Sequence, residues 1–218
     1  MGAMTETTET TNSSGYAGID ERIAAVDTPS IWVGERIHLR GYEPEDIEFE
    51  AVYEENTIDQ RRGWKAFPPR STVARKEWNE EASKAKPEGD AVEFRLVIAR
   101  RSDNVIVGTV NPHTVNVING TFRFGISVGE EHKGNGYGGE AVLLLMRYMF
   151  EERRFQKCGS EAHSYNTASL ALHRKLGFAE EGRLRREVFV GGGFHDTVLF
   201  GMTVEEFHEL YPKLRPRL

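Results

Sequence analysis

Seven consecutive residues, Lys133-Gly134-Asn135-Gly136-Tyr137-Gly138-Gly139, carry the clearest chemistry in the chain. Closely spaced glycines let a backbone approach a ligand, and where such a loop opens a helix its unpaired N–H groups form a cradle for an anion such as a phosphate. The same composition suits a plain turn. Gly134, Gly136 and Gly139 also match the Gly-x-Gly-x-x-Gly spacing of dinucleotide-binding loops. On the loop alone all of these readings stay open. Cys158 is the single cysteine, so no internal disulfide is expected. No Cys/His grouping has the spacing of structural zinc, and no metal is expected. Within a core strand, Cys158 reads as a buried inert thiol rather than a nucleophile.

The elements around the loop narrow the choice. Thr121 to Val128 alternates, with Phe122, Phe124, Ile126 and Val128 on one face and Thr121, Arg123, Gly125 and Ser127 on the other. An antiparallel strand alternates in this way, whereas a dinucleotide-binding sheet buries both faces of the strand before its loop. About 80 residues follow Gly138, too few for the remaining parallel strands of such a domain. A helix is expected from about Glu140 to Arg153, with Ala141, Leu144, Leu145, Tyr148 and Met149 on one face.

Upstream, Trp32 to Leu39 has strand character, and Glu43-Pro44-Glu45-Asp46 opens a helix through Ala51 and Tyr53. Gln60 to Pro69 reads as a loop, and a polar helix covers Val73 to Lys86. From Phe94 an antiparallel meander follows, turning at Ser102-Asp103-Asn104 and at Ile118-Asn119-Gly120. Beyond the central helix come a strand at Lys157 to His163, a helix from Thr167 to Leu176 stopped by Gly177, and two strands joined by Gly191-Gly192-Gly193.

Residues 29–210 are expected to form one domain, preceded by a disordered tail over 1–28 and followed by a short tail from 211. Met1 to Met4 reads as a cloning scar ahead of a native start at Met4. No secretory signal is read, and no apolar run approaches the ~20 residues that span a bilayer. A net charge of −6 argues against a nucleic-acid partner and suits a cationic one. The lone cysteine fits a reducing compartment, so a cytoplasmic location is expected.

Two ordered motifs resemble the GNAT superfamily of N-acetyltransferases. Lys133, Gly136 and Gly138 are similar to its Arg/Gln-x-x-Gly-x-Gly/Ala loop, with Lys133 in the first position. Asn166-Thr167-Ala168-Ser169-Leu170-Ala171-Leu172-His173-Arg174-Lys175-Leu176-Gly177-Phe178 resembles its Asn-x-x-Ala/Ser-x-x-Leu-Tyr-x-Lys-x-Gly-Phe element. Glu181 through Val190, the triple glycine and Asp196-Thr197 look like the closing hairpin of the ribosomal-protein alanine and spermidine branches. The resemblance covers roughly residues 33–207.

It implies an α/β (α+β) fold: a mixed, mostly antiparallel sheet of six or seven strands, splayed between the fourth and fifth after a bulge, with about four helices. It implies acetyl-CoA as co-substrate, its pyrophosphate on Lys133, Gly134, Asn135, Gly136, Tyr137, Gly138 and Gly139. Ile126, Ser127 and Val128 would offer main-chain groups to the pantetheine arm, with the Val128 N–H polarising the acetyl carbonyl. Asn166 caps its helix and contacts the cofactor. Ser169 either faces the cofactor or simply permits close packing.

His173 stands where many members carry a Tyr that protonates the departing sulfur. An imidazolium can do the same, whereas a neutral imidazole would only hydrogen-bond. Candidates for the base are Glu130, just before the loop, and Glu161, which shares a strand face with His163. Solvated or salt-bridged side chains and a water chain are the alternatives. His195 and Asp196 are weaker candidates, and Arg61, Arg62, Trp64 and Phe67 fall where the family forms its acceptor wall.

The reading is a cytoplasmic N-acetyltransferase that moves an acetyl group from acetyl-CoA to a primary amine by direct attack. A protein N-terminus, a polyamine and a small amine are all open as acceptor. The resemblance also implies a homodimer. The alternative, motivated by His173 in place of Tyr, is a module that binds or senses acyl-CoA without turnover.

Overall fold

A computed structural model describes residues 30–63 and 66–214. The expectations for residues 1–28 and for Trp64 lie outside the described residues. The strands are β1 (Ile37–Arg40), β2 (Leu96–Arg100), β3 (Ile106–Asn116), β4 (Thr121–Val128), β5 (Lys157–His163), β6 (Ala179–Val190) and β7 (Gly193–Thr203). They form one seven-stranded sheet in the order β1-β2-β3-β4-β5-β7-β6. Every neighbouring pair is antiparallel except β4 and β5.

Among the described residues six helices accompany the sheet, not about four: α1 (Ile47–Glu55), α2 (Thr57–Gly63), α3 (Thr72–Ser83), α4 (Tyr137–Glu151), α5 (Thr167–Lys175) and α6 (Val204–Leu210). The stretch from Gln60, read as loop, is the second half of α2. Its helicity rests on side chains rather than propensity. Asn56 Oδ1 accepts from Asp59 N at 3.1 Å as an N-cap, and Gln60 Nε2 donates to Glu54 O at 2.6 Å. The short α6 forms behind the capping box of Thr203 and Glu206, a local signal the periodicity argument passed over.

The core lies between the sheet and α4. All six residues from Ala141 to Met146 are at most 1% exposed. The expected one-sided stripe is therefore too narrow a description, because α4 is buried continuously from Gly139 to Met146 and again at Met149 and Phe150. Phe122 meets Phe150 and Phe155 edge-on beneath it. On the other sheet face Tyr42, Val97 and Ala99 are covered by Trp78 and Ala82 of α3. The expected C-terminal tail begins too early: Tyr211 is fully buried and donates to Leu176 O at 3.0 Å, and Leu214 is buried too. No helix among the described residues is long and apolar enough to cross a membrane.

One irregularity positions the site. β4 pairs with β3 along its length, but with β5 only at Thr121↔Lys157, Phe122↔Cys158 and Arg123↔Gly159. β5 meanwhile stays paired with β7 through His163↔Thr197. The two strands part after Arg123 and Gly159, each held on its outer edge. The β3–β4 register is unbroken from Gly108↔Val128 to His113↔Arg123, so the opening forms without the bulge in β4 that the resemblance implied.

Candidate active site

The antiparallel ladder determines which main-chain groups of β4 face the opening. Gly129 N donates to Val107 O at 2.9 Å, and bonded and non-bonded pairs alternate along such a ladder. Ser127 therefore turns its N–H and C=O toward β3, while Ile126 and Val128 turn theirs toward the space that β5 has left. The expectation that Ser127 offers main-chain groups there is corrected by this alternation. Its contribution is a side chain on the cavity wall.

At the C-terminal end of β4 a 3-10 turn, Glu130–His132, leads into the glycine loop. Gly134 and Gly136 have φ of +81° and +82°, the left-handed region that side chains avoid. α4 begins at Tyr137, three residues earlier than expected, so Gly138 and Gly139 lie in its first turn. Its first intrahelical bond runs from Glu140 N to Gly136 O (3.2 Å), which leaves the N–H groups of Tyr137, Gly138 and Gly139 at the open end. A Cβ on Gly138 would sit 3.4 Å from the Ile126 and Val128 side chains. The bare backbone thus keeps the passage between loop and strand clear. Arg36 Nη1 donates to Asn135 O at 2.7 Å and braces the loop from behind.

A cavity of about 690 Å³ runs along this opening. Its walls include Ile126, Ser127, Val128, Lys133, Gly134, Gly136, Tyr137, Gly138, Gly139, Glu161, Asn166, Ser169 and His173. Glu130 and Asn135 are not among them. The sequence reading missed Asp59, Thr109, Asn111 and Ser160, which also line it. Ser160 lies in the expected strand at the parity of Cys158, a placement that marked it only as inward-facing.

Both carboxylates expected as bases are held in ion pairs. Glu130 Oε2 lies 2.5 Å from Lys133 Nζ and 2.6 Å from Arg62 Nη1, which holds its carboxyl down to about 2. It is no proton acceptor near neutrality. Lys133 and Arg62 also reach Asp59 Oδ1, at 2.5 and 2.7 Å. Glu161 pairs with Arg123 at 2.5 Å.

His173 does not face the cleft as a free acid. It is 1% exposed, its Nδ1 lies 2.7 Å from Ser169 O and its Nε2 2.8 Å from Ser160 Oγ. Burial pushes its pKa below the usual histidine value, against the pull of the Ser169 carbonyl. The ring is therefore neutral near pH 7. Burial also lowers His163, with Glu161 pulling the other way. Cys158 is buried, and burial raises its thiol well above the ordinary value, which suits an inert core residue.

α2 spans the mouth of the opening. On the β4 side Asp59 and Arg62 hold Lys133 and Glu130. On the β5 side Tyr165 Oη donates to Arg61 O (2.5 Å) and Asn166 Nδ2 to Arg62 O (2.9 Å). Asn166 Oδ1 at the same time accepts from Ser169 N at 3.1 Å and caps α5. Asn166 is thus both helix cap and anchor for α2. Among the described residues no group of three or more His, Cys, Asp or Glu is placed to hold a metal.

A sheet opened at its parallel pair, with a glycine-lined helix terminus at the head of the gap, forms a cleft that can admit an extended ligand with an anionic group at one end. The chain belongs to the GNAT family: residues 36–179 match the acetyltransferase (GNAT) domain. It is 38% identical over 177 residues to the SPbeta prophage-derived uncharacterized N-acetyltransferase YokL of Bacillus subtilis (strain 168), covering 81% of this chain and 94% of that one. It is 29% identical over 107 residues to spermidine N(1)-acetyltransferase of Vibrio cholerae, covering 49% of this chain and 61% of that enzyme. The fold matches the crystal structure of Vibrio cholerae spermidine N-acetyltransferase in complex with CoA and spermine, with TM-score 0.68 and 22% identity over 80% of this chain and 99% of that one. The protein is an N-acetyltransferase.

Proposed function

We propose that this enzyme seats acetyl-CoA in the gap between β4 and β5 and passes the acetyl group to a primary amine by direct attack. The acceptor the cleft supports best is a peptide N-terminus or a compact amine. The observation that carries the reading is the β4–β5 ladder, which stops at Arg123↔Gly159 and leaves the Ile126 and Val128 main chain with no strand on the β5 side. Bound there, acetyl-CoA supplies an activated thioester.

The chain's own groups do the rest. The N–H groups of Tyr137, Gly138 and Gly139, with the turns at Gly134 and Gly136, receive the pyrophosphate. Lys133 adds its charge, and Asn135 shapes the loop. Ile126 and Val128 bond the pantetheine arm, the Val128 N–H polarising the acetyl carbonyl. Ser127, Asn166 and Ser169 complete the wall.

The acceptor preference rests on charge. Spermidine N-acetyltransferases are among the relatives, and an overall charge of −6 suits a cationic acceptor. At the cavity itself, however, Asp59 and Glu161 already have cationic partners, and Arg95, outside those pairs, also lines the wall. A polyamine would find no carboxylate there to itself. We place the reaction in the cytoplasm, for which the unpaired Cys158 argues. We carry the homodimer as part of the proposal, with sedimentation velocity as its check.

Incubating the protein with acetyl-CoA and an amine panel of short peptides, small primary amines, an aminoglycoside and spermidine, then measuring free thiol, tests the reading. Release that depends on the amine, faster with peptide or compact amine than with spermidine, is the expected result. CoA binding with no release for any amine would instead support the non-catalytic sensor.

A further inference from the structure

We propose that Ser160 is the proton carrier of acetyl transfer, with His173 as the residue that positions and recharges it. The inference rests on the transfer reading above and adds the proton's route.

Ser160 is the first β5 residue beyond the last rung shared with β4, Arg123↔Gly159, and so stands at the apex of the gap. It is 4% exposed, and its Oγ lies 2.8 Å from His173 Nε2. The other ring nitrogen meets Ser169 O at 2.7 Å. A carbonyl oxygen can only accept, so the proton of the neutral ring sits on Nδ1, and Nε2 accepts from the Ser160 hydroxyl. With its hydrogen directed at His173, Ser160 turns oxygen lone pairs to the cleft.

Packing fixes the imidazole in that pose. It stacks on Phe200 (4.7 Å, 13°) and Phe124 (5.6 Å, 21°) and meets Phe178 edge-on at 5.4 Å. A hydroxyl bonded to an imidazole that is itself oriented by a third group can pass its proton to the ring as its oxygen takes on a new bond. The expected carboxylate bases do not compete, being held by Lys133 and Arg62 and by Arg123.

The route balances. As the amine nitrogen bonds the acetyl carbon it loses a proton to Ser160 Oγ, while the Ser160 hydrogen passes to His173 Nε2. As the carbon–sulfur bond breaks, His173 returns that proton to Ser160, and Ser160 gives one to the sulfur. Nitrogen ends one proton poorer, sulfur one richer, and both side chains are restored. A buried imidazolium gives up its proton readily, which favours the return step.

The decisive experiment needs no acceptor. CoA is bound to the wild type and to Ser160→Ala, and its thiol is titrated by thiolate absorbance in the ultraviolet. If Ser160 reaches the sulfur, its hydroxyl turns the hydrogen from His173 to the thiolate as that charge forms, and the bound thiol titrates about one pH unit lower in the wild type. Identical titrations overturn the proposal.

With the best amine of the panel, Ser160→Ala should lower kcat ~100-fold with little change in KM for acetyl-CoA, and Ser160→Thr should restore most of it. His173→Gln should lower kcat and shift its pH profile without moving CoA affinity. Full activity in Ser160→Ala, or an acetyl group found on Ser160 by mass spectrometry in the absence of amine, also overturns the route. A wild type that releases no thiol with any amine would sink the transfer reading alone, and the CoA titration still decides the role of Ser160.

Discussion

Lys133 Nζ stands 2.5 Å from Asp59 Oδ1, so the cation at the head of the glycine loop is held by the helix that crosses the gap. A phosphate arriving at the loop must compete for that cation. Asp59→Asn removes the competing charge while an amide oxygen still accepts from Asn56 Nδ2, now 2.9 Å from the carboxylate. Because Lys133 is about a third exposed, solvent already weakens the pair. The variant should bind CoA roughly 3- to 10-fold tighter by isothermal titration, a change of ~1 kcal/mol. Its melting temperature should drop slightly. Weaker CoA binding would show that Asp59 builds the site rather than restraining it.

Gly136 combines a φ of +82° with a crowded flank, where a Cβ would lie 3.0 Å from Arg36 Nη1. Left-handed backbone costs an alanine ~1–2 kcal/mol, and the displaced guanidinium would release Asn135 O as well. Gly136→Ala should lower the melting temperature by a few degrees and weaken CoA binding at least ~10-fold. Gly41→Ala is the control: a Cβ there meets nothing within 4 Å, and the change should stay within ~0.5 kcal/mol.

What the sequence disclosed follows from the range of the forces involved. The alternation of β4, the stop at Gly177 and the glycine loop are local patterns, and each lies where it was expected. α2 was missed because its seven residues are held by contacts to Asn56, Glu54, Tyr165 and Asn166 rather than by their own periodicity. Glu130 and Glu161 stood out as carboxylates near the loop and on the right strand face. Their engagement depends on Arg62, 68 residues from Glu130, and Arg123, 38 from Glu161. His173 drew attention by type, but its partner Ser160 lies on another element, and only packing brings the two together. Tyr211 lay past the last periodic helix, so its burial in the core left no mark on the pattern.

Asn166 holds two helix ends at once, and two substitutions separate the roles. Asn166→Ala loses the cap on α5 and the donor to Arg62 O together. A lost cap alone costs ~1 kcal/mol. Asn166→Asp retains an oxygen for Ser169 N and loses only the amide donor. In urea unfolding the Ala variant should fall by about 1–2 kcal/mol, with the Asp variant nearer the wild type. Both free the last turn of α2, so both should raise KM for the amine. If Asp matches the wild type in KM, the anchor to α2 has no part in the acceptor wall.

Glu140 sits in the first turn of α4 at 5% exposure, its Oε1 accepting from Arg36 N at 3.1 Å. Burial raises its pKa above 4.5, and this outweighs the opposing pull of the main-chain N–H groups of Arg36, Glu35 and Ile37. A carboxyl whose pKa is raised in the fold binds more protons folded than unfolded across the interval between the two values. Stability is therefore lost as pH rises through that interval, and the whole loss is present above the folded pKa. Glu140→Gln keeps an oxygen for Arg36 N and removes the charge. It should unfold at higher urea than the wild type at pH 7 to 8, with the advantage shrinking as pH falls through the interval and gone below the ordinary value of 4.5. A negative charge at a helix N-terminus is ordinarily favourable by up to ~1 kcal/mol. A Gln variant less stable than the wild type at pH 7 would mean that the helix terminus, not burial, decides the sign here.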